Sequence, residues 1–297
     1  VLVWVAGLTR IARAPREVLA DIGHHVRGPQ FLAIVAATNI LGVQCARLAG
    51  WNAAAAALWI AGIASWVVVT YGFFVAVTVT SRKPALEHGI GGAWLLITVA
   101  TESVAVLGTG VAGQFARPDI AMFASLAFFL AGGMLYILVI ALIFFRWAFM
   151  PMPTHALTPP FWINMGAVAI ATLAGAMLAG AAADYPFIAG LAHFVVGFTL
   201  FFWATATWWI PVLALVFAWR HLHRRTPVHY DPQYWSLVFP LGMYSVATWT
   251  CAEGQHLGFL LPLARAFGYV AIAAWTLTLA GMVRQVLRRS LALRRNG

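Results

Sequence analysis

The chain has 297 residues, 63% of them hydrophobic and 9% charged, with a mean hydropathy of +0.87. A water-soluble domain carries about a quarter charged residues, so the composition excludes a soluble globular protein and makes lipid the solvent. The net charge of +10 would suit nucleic acid, but fifteen of the eighteen Lys and Arg fall in alternate loops, which is a membrane-topology signal instead.

The first apolar stretch, residues 1–9 (VLVWVAGLT), is too short to span and runs directly into the basic loop Arg10–Arg27. It reads as the closing turns of a helix begun upstream, so the chain is expected to start within its second helix. A Val-initiated chain carrying a half-helix is the alternative. Eight complete spans follow, at about 30–50, 53–80, 92–113, 119–147, 160–181, 186–219, 235–252 and 258–283. Each matches the roughly 20 apolar residues that a bilayer core requires. The runs are continuous and rich in Ala, Leu, Gly and Val, which points to helices rather than to the short alternating strands of a β-barrel. No loop is long enough for a separate soluble domain, so residues 1–297 form a single all-α transmembrane domain.

Four spans repeat one pattern: Phe31–Gly42, Trp94–Gly108, Trp162–Gly175 and Trp235–Thr250. Each opens with an aromatic residue and carries an Ala-Thr pair, whose threonines are Thr38, Thr101, Thr172 and Thr248. A longer, greasier span follows each, so the unit is a helical hairpin. The first members hold the polar residues: Thr38, Asn39 and Gln44; Thr98, Thr101, Glu102 and Ser103; Asn164 and Thr172; Ser236, Ser245 and Thr248. Polar groups in hydrocarbon face a partner helix, a bundle interior or water. The first members are therefore expected inside, around a passage, with the second members outside against lipid. Close helix packing by Ser, Thr and Gly is the other reading of the same residues.

Several residues stand out along the chain. Glu102 is the only acid deep inside a complete span; a proton-coupling residue in the passage and a neutral carboxyl bonded to a neighbouring helix are both open. His193 is the only histidine well within a span, while His221, His223 and His229 sit among arginines in a basic loop. Cys45 and Cys251 lie near one end of their spans and read as small buried residues. Span 186–219 is about 50 Å long as one helix, so a kink at Pro211, a strong tilt or a projecting end is expected. Pro159-Pro160 and Pro232 look like helix starts. Pro240 lies inside the Trp235 span and bends it, which could push Phe239 toward a lumen. No Cys/His cluster has zinc-ligand spacing and no glycine-rich phosphate loop is present, so no metal, cofactor or catalytic centre is expected.

Arg10, Arg13, Arg16, Arg27, Arg82, Lys83, Arg146, Arg220, Arg224, Arg225 and the C-terminal arginines share one side; Arg47, Arg117 and Arg265 take the other. Positive loops resist translocation. A multi-pass protein of the cytoplasmic membrane is expected, with its C-terminus inside.

The hairpin repeat, together with HHVRGPQFLAIVAATNILG (24–42), PPFWINMGAVAIATLAG (159–175) and YWSLVFPLGMYSVAT (234–248), resembles the tellurite-resistance/C4-dicarboxylate transporter family, which includes plant slow-type anion channels. The resemblance covers essentially the whole chain after Arg10. It implies ten helices per protomer, five inner helices lining a pore, and a homotrimer with one pore per protomer. It also implies that an aromatic ring on the ninth helix, here Phe239 beside Pro240, occludes the pore. Set against those ten helices, the first helix and part of the second are expected to be missing from this chain. The implied function is transport of small anions, C4-dicarboxylates such as malate first, with protons as a second partner if Glu102 takes part. A gated channel for chloride, nitrate or sulfite is the alternative. A haem-carrying redox subunit is remoter, because it needs paired in-span histidines.

Overall fold

In the computed structural model, which describes residues 2–224 and 230–295, the chain is 86% helical and the described residues contain no strand. Val1, Arg225 and His229 lie outside the described residues. In chain order the helices are α1 (Leu2–Arg13), α2 (Pro15–Ile22), α3 (Leu32–Ala49), α4 (Asn52–Val79), the short α5 (Leu86–Gly89), α6 (Leu96–Val111), α7 (Pro118–Phe149), α8 (Ile163–Gly180), the short α9 (Pro186–Ala189), α10 (Ala192–Ala218), α11 (Trp235–Gly254) and α12 (Leu261–Arg295). The protein is an all-α, multi-pass membrane protein. Among the described residues, seven helices are long and apolar enough to cross a membrane. The eighth predicted span, α11, is a 20-residue helix but is not one of the seven; its serines, threonines and Glu253 dilute its apolar character.

The helices fall into two sets. α3, α6, α8 and α11 neighbour one another in that order. α6 and α8 are buried along almost their whole length. α4 packs on α3, α7 on α6, α10 on α8 and α12 on α11, giving four inner–outer hairpins. The outer helices present large apolar side chains such as Val68, Phe123, Leu215 and Leu277 on the surface. A contiguous exposed apolar surface of that kind belongs in hydrocarbon. At the N-terminal end, α1 reaches α3 through Trp4, and Asp21 of α2 sits between Arg10 and Arg27 as the acceptor of both.

Two sequence expectations change. The 186–219 segment is not one helix: it breaks at Gly190–Leu191 between α9 and α10. His193 is therefore the second residue of α10 and is exposed, not deep in a span. A haem subunit thereby loses the one in-span histidine on which it rested. Beyond the break, α10 runs through Pro211 without interruption and ends in a π-turn over Trp219–His223. Cys45 is half-buried, Cys251 is buried, and both are free thiols.

Candidate functional site

Each inner helix begins with a 3-10 turn: Gly28–Phe31 before α3, Gly92–Leu95 before α6, Pro159–Trp162 before α8 and Pro232–Tyr234 before α11. Three of the four have a proline in their first two positions, where its missing N–H costs nothing. The turns touch in series, first to second, second to third, third to fourth. The second contact is tight, since a Cβ on Gly92 would lie 2.1 Å from the Pro160 carbonyl oxygen. Because their N-terminal turns adjoin, the inner helices run parallel and bring four positive dipole ends to one end of the molecule.

Cationic side chains hold that same end together. Arg146, at the end of α7, is buried and donates to the Ile90 carbonyl just before the α6 turn. Its guanidinium also lies 5.9 Å from the centre of the Phe161 ring in the α8 turn. Arg220, in the π-turn after α10, donates to the Leu157 carbonyl before the same turn. Outside the spans, His25 is held below the ordinary histidine range, chiefly by burial and then by His24 and Lys83. Charge counting assigned Arg146 and Arg220 to this side but gave no sign that they clamp the turns.

The repeated threonines have a common surrounding. Thr38 accepts a bond of 2.8 Å from Trp4 Nε1 of α1 and donates to the Ile34 carbonyl. Thr101 accepts one of 2.8 Å from Trp66 Nε1 of α4 and donates to the Ile97 carbonyl. Thr248 accepts one of 3.1 Å from Trp203 Nε1 of α10. In each case an outer-helix indole reaches the threonine of the next inner helix. Among the described residues, Thr172 bonds only to its own Val168 carbonyl. Three of these four hydroxyls, those of Thr38, Thr101 and Thr248, are thus hydrogen-bonded to an indole of a neighbouring helix. The indoles that meet them were not singled out in the sequence, although two of the three pairs are 34 and 35 residues apart.

The residues that follow the first two threonines also turn to neighbouring helices. Asn39 donates to Ser103 of α6 at 3.1 Å, and its Oδ1 faces Gly62 of α4. Glu102 is fully buried, with neither carboxylate oxygen hydrogen-bonded among the described residues. A Cβ on Gly132 of α7 would lie 2.4 Å from its Oε1. Glu102 therefore lies at the α6–α7 contact. Asn164, at the start of α8, is fully buried with its side-chain amide unbonded. Its carbonyl accepts from Tyr136, whose oxygen accepts from Trp209.

Phe239 and Pro240 stand together on α11. Pro240 is buried and abuts α8 so closely that a Cβ on Gly166 would come within 2.7 Å of its Cγ. Phe239 is half-buried and packs against the inner core. Pro240, next to that aromatic, is thus the residue of the pair that meets α8.

A family model described as SLAC1, voltage-dependent anion channel, matches residues 1–283. An uncharacterized membrane protein of Mycobacterium tuberculosis, matched in two strains, is 38% identical over 152 residues, 51% of this chain and 77% of its own. An uncharacterized transporter of Methanocaldococcus jannaschii is 22% identical over 255 residues, 83% of this chain and 70% of its own. No solved structure matches the chain.

Proposed function

The chain belongs to the voltage-dependent anion channel family, and from that premise we propose that it carries small anions across the cytoplasmic membrane along the arc of its inner helices, with no catalytic step. The observation that carries this reading is the meeting of the four 3-10 turns at one end. Parallel inner helices with adjoining N-termini create a positive potential there without a lumenal arginine. Arg146 and Arg220 add charge at the same end while their guanidiniums serve as clamps. A passage that selects by dipoles and distant charge favours anions and binds them weakly enough to release them. Phe239, beside the Pro240 that meets α8, is the residue proposed to occlude it. Small organic anions, C4-dicarboxylates such as malate first, are the proposed cargo, and a homotrimer with its C-termini in the cytoplasm is the proposed assembly.

The placement of Glu102 favours a second reading, a gated channel for inorganic anions. Its carboxyl group faces Gly132 of an outer helix, so on this reading it packs and does not relay protons. Uptake of labelled malate into proteoliposomes, with and without an inward proton gradient, separates the two. Gradient-driven uptake that loses its pH dependence in Glu102→Gln establishes a proton-linked carrier. Gradient-independent flux, the same in Glu102→Gln, establishes the channel. Absence of any anion flux from folded protein would refute both.

A further inference from the structure

A half-open cavity of about 800 Å³ lies between the start of α11 and the last turns of α12, away from the inner contacts described above. Tyr230, Tyr234 and Leu237 form one wall, and a single face of α12 that includes Leu277, Arg284 and Arg288 forms the other. Gly281 lets the Tyr230 ring pack close on α12 at one edge of the cavity: a Cβ there would already be 3.0 Å from Tyr230 Cδ2.

The lining is graded along α12. Helix α12 starts at Leu261, and at 1.5 Å per residue Gly281 is about 30 Å further on, one bilayer core away. Leu277 and Leu237 therefore border acyl chains, while Arg284 and Arg288 stand at headgroup depth. Among the described residues, no acidic side chain lines the cavity. Neither arginine makes an ion pair among the described residues. The Tyr230 phenol accepts from Trp235 Nε1 at 3.3 Å, which leaves its O–H as a donor. Two cations and a phenol above an apolar slot complement a phosphate that carries a hydrocarbon chain.

We propose that this cavity binds one anionic phospholipid, with the phosphate between Arg284 and Arg288 and an acyl chain along Leu237 and Leu277. Native mass spectrometry of the detergent-purified protein, titrated with phosphatidylglycerol, phosphatidylcholine and inorganic phosphate, tests it. Phosphatidylglycerol should be retained one per chain in preference to phosphatidylcholine. The Arg284→Gln/Arg288→Gln variant should weaken that retention roughly thirtyfold, from the contribution of two arginines near a membrane surface. Arg265→Gln, at the other end of α12, should leave it unchanged. Equal retention of the two lipids, or undiminished retention by the double variant, would overturn the proposal. So would displacement of the lipid by equimolar inorganic phosphate, since a free anion would then suffice.

Discussion

At the scale of single residues, the indole–threonine bonds link the sequence repeat to the packing. The half-buried Trp66 reaches the fully buried Thr101 at 2.8 Å. Interhelical hydrogen bonds in membranes contribute about 0.6 kcal/mol on average, because the dissociated helices also find partners. A double-mutant cycle of Trp66→Phe and Thr101→Val, read by thermal unfolding in detergent, should therefore give a coupling of about 0.6 kcal/mol. The pair Trp66→Phe and Thr172→Val should give none, since Thr172 bonds only within its own helix. The threonines were legible in the sequence as a repeat, and the same contact recurs at three of the four inner helices. Their partners were not, because a tryptophan in an apolar span looks like any other greasy residue until the fold sets it beside a hydroxyl. Glu102 was legible as an anomaly, but its direction was not: spacing alone does not say which neighbouring helix a side chain faces.

At the scale of helices, the inner–outer pairs are set by small residues that admit a large or polar side chain from the neighbour. Gly132 is the sharpest case on α7, with Glu102 Oε1 2.4 Å from where its Cβ would be. Gly132→Ala should cost about 1–3 kcal/mol of stability through overpacking. The same substitution in a Glu102→Ala background should cost markedly less, because the colliding side chain is gone. Equal cost in both backgrounds, measured by thermal unfolding in detergent, would mean that α6 and α7 do not meet at these residues. Span positions and the inner–outer division were readable from hydropathy and from where the polar residues concentrate. The break at Gly190–Leu191 was not, since α9 and α10 form one unbroken apolar run in the sequence. The 3-10 turns were legible only as prolines and aromatics before each inner span. Their mutual contact depends on residues far apart in the chain, such as Gly92 and Pro160.

At the scale of the whole molecule, charge and hairpin repeat together define a direction. Fifteen of eighteen Lys and Arg fall on one side by loop alternation, the side of Arg146 and Arg220 at the start of the inner helices, so that end should face the cytoplasm. With Cys45 and Cys251 replaced by Ala, a cysteine introduced at Gln255 should react with a membrane-impermeant maleimide in intact cells. One introduced at Lys83 should react only after permeabilisation, and the reverse pattern would invert the topology. In this orientation the positive dipole ends lie on the cytoplasmic side. Phe239, in the second turn of α11, sits a short way into the same side.

On the proposed function, the inner helices enclose an anion passage stopped by Phe239. The most direct measurement is anion current across a planar bilayer holding the purified protein, compared with Phe239→Ala. A barrier lowered by about 1.4 kcal/mol raises flux about tenfold. Chloride or nitrate current should rise by at least that factor, with no matching rise for potassium. A folded Phe239→Ala protein as silent as the parent, or one that leaks cations equally, would contradict it.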